Sequence, residues 1–277
     1  MQQENELTGL SQIAAGNELV EIPQYGLGKI LLIWVGAAGP MAVLEWIVNP
    51  ALSPATAFPL FTHVALLTLG LVWQFVLVVI LLGQETRTWS WAIIRQRLWL
   101  RQPYSEKQDR TDRRLWWWLL PMIFLTALYE FKVGGAIDGL WTSVFPFLRE
   151  PPAGSLSAAL ATPEARAGLV GAWGFYGLFI VQAIFNTVIG EELLFRGVLL
   201  PRMAGVFGKW DWVANGVLFG FYHWHKPWIM LSAALEAVFL FVLPSRRFHS
   251  AWFGIIAHSG QSVYFAFLLL GLVLGKA

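Results

Sequence analysis

The sequence predicts an all-α, polytopic transmembrane bundle of about seven spans, and three observations carry that prediction. The chain of 277 residues is 57% hydrophobic and only 13% charged, where a soluble domain averages roughly 45–50% and about 25%; its mean hydropathy is +0.58. Apolar runs of about 20 residues follow one another, each long enough to cross the hydrocarbon core as a helix. The chain carries 16 Trp, whose amphipathic rings settle at membrane–water interfaces. Only helices and closed barrels satisfy their backbone polar groups in lipid, and these runs lack the alternation of barrel strands.

The predicted spans are 29–48, 60–82, 115–131, 170–204, 210–226, 228–244 and 251–274. Residues 1–28 are a polar N-terminal segment without Lys or Arg before position 29, so no secretory signal is expected there. Residues 29–169 hold the first three spans, a basic interfacial segment and an external loop; residues 170–275 form the second region. The basic stretch 83–114 contains Arg87, Arg95, Arg97, Arg101, Lys107, Arg110, Arg113 and Arg114. The positive-inside rule places it in the cytoplasm, and therefore the N-terminus too. Within it, Trp89–Arg101 mixes aromatics with arginines and is expected to lie along the inner interface as a helix. A multi-pass protein of a bacterial plasma membrane is the expected setting, with the lipid bilayer as its partner. Cysteine is absent, which removes thiol nucleophiles and thiolate metal sites, and the net charge of +2 makes nucleic acid an unexpected partner.

Ionisable side chains inside spans cost a few kcal/mol each and are functional candidates by default. Three clusters qualify: Glu191-Glu192-Leu-Leu-Phe-Arg196-Gly197 in the fourth span, Phe219-Gly-Phe-Tyr-His223-Trp-His225 in the fifth, and His258-Ser-Gly-Gln261-Ser262 in the seventh. Glu192 and Arg196 are four apart, stacked on one helix face and able to pair; Glu191 points about 100° away. Counted from the turns at helical rise, Glu191 and His223 both lie roughly 20 Å deep and His258 about 14 Å, so the groups share a depth. Asn215, Phe219 and His223 form one stripe at i+4 spacing. Peptide hydrolysis needs a base to activate water and donors for the oxyanion. A carboxylate beside an imidazole supplies the first; a second imidazole either donates to the oxyanion or protonates the leaving amine. A proton-coupled transporter uses the same groups in a relay, but no paired inverted halves are visible. A non-catalytic scaffold or immunity protein of the same fold is the third reading. A protease is expected to show a water-accessible pocket between the fourth, fifth and seventh spans. Glu236, in the sixth span, requires a partner, either His258 or a neighbouring backbone group.

These clusters resemble the motifs of the CPBP family, the CAAX proteases and bacteriocin-processing enzymes also called Abi. Its pattern is Glu-Glu-x-x-x-Arg, Phe-x-x-x-His and His-x-x-x-Asn or Asp; residues 191–196 and 219–223 match, and His258 is present with Ser262 at the last position. The resemblance covers roughly 170–275. It implies an intramembrane endopeptidase acting on a membrane-associated peptide or protein. By position, Glu191 is the general base, His223 its water-holding partner, His258 the oxyanion stabiliser, and Arg196 the brace of Glu192. A metal-free glutamate mechanism is expected; the alternative is zinc held by Glu191, His223 and His258.

Overall fold

The computed structural model describes residues 21–56, 58–86, 89–151 and 162–276; residues 1–20 of the polar N-terminal segment, and Arg87, lie outside the described residues. Six helices are long and apolar enough to cross a membrane: α1 (Leu27–Ala55), α2 (Pro59–Glu85), α4 (Arg113–Val144), α5 (Trp173–Arg202), α7 (Pro227–Arg247) and α8 (Trp252–Val273). Between α2 and α4 lie the short helix α3 (Trp91–Arg97) and a two-residue-per-strand hairpin, β1 (Tyr104–Ser105) with β2 (Arg110–Thr111). A further helix, α6 (Asp211–Tyr222), has 12 residues.

The sequence reading differs from this architecture in three places. The fifth of the expected seven spans is helical, but α6 covers only about 18 Å at 1.5 Å per residue, too little to cross a bilayer alone. It ends in a tight turn at His223–His225. Lys226, the residue before Pro227, is outside the helical region (φ −142°, ψ 66°), as the proline disfavours helix in its predecessor, so the chain does not resume the helix after this turn. The third span was expected to stop near residue 131, yet α4 continues to Val144. Gly134 and Gly135 do not end it, because the chain absorbs them in a wide π-type turn over Tyr129–Gly134. The interfacial helix expected over 89–101 exists, shortened to α3.

Packing places α5 at the centre. Leu194, Phe195, Val198, Leu199 and Leu200 are all at 0% exposure and belong to the main core with residues of α1, α2, α6, α7 and α8. Lipid-facing side chains such as Leu32, Phe124, Leu140 and Phe267 are exposed instead, as expected where hydrocarbon replaces water outside the bundle. The α6–α7 hairpin is drawn together by small residues: a Cβ added at Gly216 or Gly220 would meet Val238 Cγ2 at 2.4 Å or Ala234 Cβ at 2.3 Å. Helix α1 clips onto it through Trp34 Nε1, which donates to the Leu218 carbonyl at 2.7 Å, and Trp46 Nε1, which donates to that of Trp224 at 2.8 Å.

Candidate active site

Helix α5 breaks where its carboxylates begin. The Gly190 N–H donates to the Phe185 carbonyl at 2.8 Å, five residues back, closing a wide turn. A Cβ at Gly190 would sit 2.3 Å from that carbonyl oxygen and 3.0 Å from the carbonyl oxygen of Leu71, so glycine is what allows the turn and the close approach of α2. The next two residues, Glu191 and Glu192, are buried at 2% and 0% exposure and diverge to different partners.

Glu191 accepts a hydrogen bond from the Tyr222 hydroxyl at 3.2 Å, and that hydroxyl accepts from Gln74 Nε2 at 2.5 Å. Glu192 instead accepts from His258 Nδ1 at 3.0 Å and lies 3.2 Å from Arg196 Nε. The Arg196 guanidinium is stacked over Phe219, 4.1 Å from its centroid, and lies 5.5 Å from that of Phe241. Although Glu192 and Arg196 are close enough to attract, their geometry forms no hydrogen bond, and all three Arg196 side-chain nitrogens lack one among the described residues.

Both site histidines are oriented through Nδ1. His223 Nδ1 donates to the Phe219 carbonyl at 3.0 Å, and His258 Nδ1 to Glu192, so in each neutral ring Nε2 is the proton acceptor. Phe219 joins the two: its ring lies 5.0 Å from that of His223 and 6.1 Å from that of His258. The His258 ring also stacks on Phe241 at 5.0 Å. Tyr222 closes the set, touching the His223 ring at 5.0 Å while bonding Glu191. The five residues singled out from the sequence, Glu191, Glu192, Arg196, His223 and His258, thus belong to one contact network. Asn215, the foot of the expected stripe, is buried at 0% and donates to the Phe195 carbonyl at 2.9 Å, a packing contact with α5.

Three participants escaped the sequence reading. Tyr222 and Gln74 bond the Glu191 side, and Glu130 is the side-chain neighbour of Glu236, where either His258 or a backbone group was expected. Glu130 also accepts from Gln261 Nε2 at 2.6 Å. Gln74 left a readable signal, a lone amide within the apolar run 71–82; Glu130 lay at the edge of a span whose end was placed too early.

A cavity of about 510 Å³ opens beside this network between α2, α5 and α8, not between the fourth, fifth and seventh segments. Its wall includes Asn186, Lys226, Gln261 and Ser262, but none of the five network residues. Among the described residues no group of three or more His, Asp or Glu side chains is disposed to hold a metal ion.

Residues 172–264 match the family described as "Rce1-like: Type II CAAX prenyl endopeptidase Rce1-like", bearing out the motif-based resemblance to the CAAX proteases over that segment. No curated protein and no solved structure matches the chain.

Proposed function

We propose that this multi-pass membrane protein of CAAX-protease type is an intramembrane endopeptidase, with Glu191 as general base for water and His258 as the cationic partner of the oxyanion. The CAAX-type segment points to a membrane protease, and the observation that supports these roles is the division of labour between the two carboxylates. Glu191 is held by one neutral hydroxyl and has lone pairs to spare; Glu192 is bonded through Oε1 to His258 and faces the Arg196 charge through Oε2.

The chemistry follows from that division. Water held between Glu191 and His223 Nε2 gives its proton to the Glu191 carboxylate as its oxygen attacks the scissile carbonyl carbon. The carbonyl π-bond electrons move to oxygen. His258 donates to that oxygen through Nε2 only as an imidazolium, because its Nδ1 proton is already given to Glu192; Glu192 stabilises this cation and fixes the ring, as a buried carboxylate does in a catalytic triad. The tetrahedral intermediate collapses as Glu191 returns its proton to the leaving amine. The donor set is of a type that zinc accepts, but these side chains do not converge as a metal site in this conformation, and no step here passes through one.

The basic stretch and the shared end of Arg97, Arg202 and Arg246 support a cytoplasmic N-terminus, and we place the protein in a bacterial-type plasma membrane. A membrane-associated peptide or protein is the proposed substrate. The test is purified protein in lipid with a quenched peptide library. Glu191→Gln keeps shape but cannot accept the proton, and is expected to lower turnover by about 10²–10⁴-fold. Strong chelation is expected to leave turnover intact. Chelator-sensitive activity restored by zinc would overturn the metal-free mechanism, and well-folded protein that cleaves nothing would favour the scaffold reading.

A further inference from the structure

Lys226 stands apart from the arginines of the bundle. Arg97, Arg196, Arg202 and Arg246 each have a carboxylate oxygen at 3.2 Å or closer. Lys226 is half-buried, yet among the described residues its ammonium has neither a hydrogen bond nor an ion pair. Its electrostatic neighbours are Glu191, Glu45 and Glu150. The first is bonded by Tyr222, the second is paired with His63 at 3.0 Å, and the third is exposed at the cavity rim. A partly buried cation without a paired counter-ion is a ready partner for an anionic ligand.

Lys226 lines the 510 Å³ cavity, whose size is within the range of about 300–1,000 Å³ usual for small-molecule sites. Along α5 and α8 its lining is graded. Gln182, Asn186, Gln261 and Ser262 lie towards the catalytic network; Phe175, Phe179, Phe265 and Leu269 lie further along the same helices and are wholly apolar. Those walls are helices whose own backbone groups are used internally, so they offer a peptide main chain nothing to bond. A hydrocarbon chain asks for nothing.

We propose that this cavity is a binding site for an anionic single-chain lipid, its carboxylate or phosphate on Lys226 and its chain along the Phe175, Phe179 and Phe265 wall. The site is separate from the chemistry proposed above and stands or falls without it. Its occupant reaches within one turn of His223, since the Lys226 N–H donates to the His223 carbonyl at 2.8 Å.

The test is equilibrium binding to the full chain in uncharged detergent, with radiolabelled palmitate as probe. Cetyl alcohol is the neutral control, and lysophosphatidate tests the phosphate head. Saturable binding near one palmitate per chain is expected, with cetyl alcohol at least tenfold weaker. Lys226→Met should weaken palmitate at least tenfold and Lys226→Arg should retain it. Ala183→Trp, which fills the cavity and leaves the charge in place, should abolish it; thermal melting confirms that each variant is folded. If Lys226→Met does not fold, Ala183→Trp and the neutral control decide alone. Extraction of lipid from the purified protein separates the sources: a free fatty acid or a single-chain lysophospholipid, either at one per chain, supports the site, whereas a two-chain phospholipid in its place would overturn it. Equal affinity for cetyl alcohol, or palmitate binding unchanged by Ala183→Trp, would overturn it and leave only annular lipid.

Discussion

Two arginines six residues apart on α5 are both wholly buried, and their surroundings are opposites. Arg202 sits in a completed cage. Its Nε and Nη2 donate to the two Glu85 carboxylate oxygens at 2.7 and 2.6 Å, and its Nη1 donates to the carbonyls of Val198, Gly197 and Arg97 at 2.8, 3.3 and 3.2 Å. Tyr25 and Arg97 also bond the same Glu85. Among the described residues Arg196 has one carboxylate within ion-pair distance, two aromatic faces and no hydrogen bond. The first arrangement is what a buried charge needs to be stable: a bidentate partner and every remaining donor satisfied. The second leaves polar capacity unspent, which native structures do at sites where the charge acts on something else. Under the proposed function, that partner for Arg196 is Glu192, and through it His258.

This contrast is open to measurement. The largest expected effect is at the cage. Glu85→Ala strands Arg202 and should destabilise the protein by about 3–5 kcal/mol, read as detergent-dependent thermal unfolding. A loss no greater than that of a surface variant would show that water reaches Arg202. At Arg196 the expected loss is smaller, about 1–3 kcal/mol for Arg196→Met, because Glu192 keeps the His258 bond. Arg196→Lys should not recover the difference, since an ammonium lacks the planar face that lies on Phe219. If Arg196→Met costs as much as Glu85→Ala, the two arginines are equivalent and the contrast is wrong.

Gly254 tests the same pair from the opposite helix. A Cβ there would lie 2.6 Å from Glu192 Oε2 and 3.2 Å from Arg196 Cγ. Gly254→Ala should therefore displace the carboxylate, costing about 1–3 kcal/mol through overpacking and lowering any proteolytic activity further than that loss explains. Unchanged activity and melting would mean that Glu192 has room to move.

The smallest expected effect lies outside the spans, where Glu106 accepts from His249 Nε2 at 2.9 Å. That hydrogen bond holds the Glu106 carboxyl below its usual range, while burial pushes the His249 imidazole down. Both shifts mean that the unfolded chain binds protons more readily, so both contributions are present at neutral pH and are lost on acidification. The loss begins below the ordinary imidazole range for His249 and below the ordinary carboxylate range for Glu106. The Glu106 side chain is 54% exposed, so Glu106→Gln should flatten the acid side of the melting curve by no more than about 1 kcal/mol. A steeper acid slope in the variant would contradict the assignment.

The local pairs were legible before any tertiary structure. Glu192 with Arg196, and Phe219 with His223, are four apart, and helix geometry alone puts each pair on one face. The cost of charge in lipid marked Glu192, Arg196 and His223 as candidates, and composition with the length and pattern of the apolar runs determined a helical membrane bundle. What the tertiary structure decided is everything that joins distant segments. Tyr222 to Gln74, Gln261 to Glu130, and Arg202 to Glu85 are separated by 148, 131 and 117 residues, respectively. No periodicity encodes such contacts, because the sequence fixes which face a side chain takes but not which helix arrives opposite it. That choice belongs to packing: glycines that let α6 and α7 close together, a wide turn at Gly190 that aims the two glutamates apart, and a proline that keeps α6 from resuming beyond its histidines.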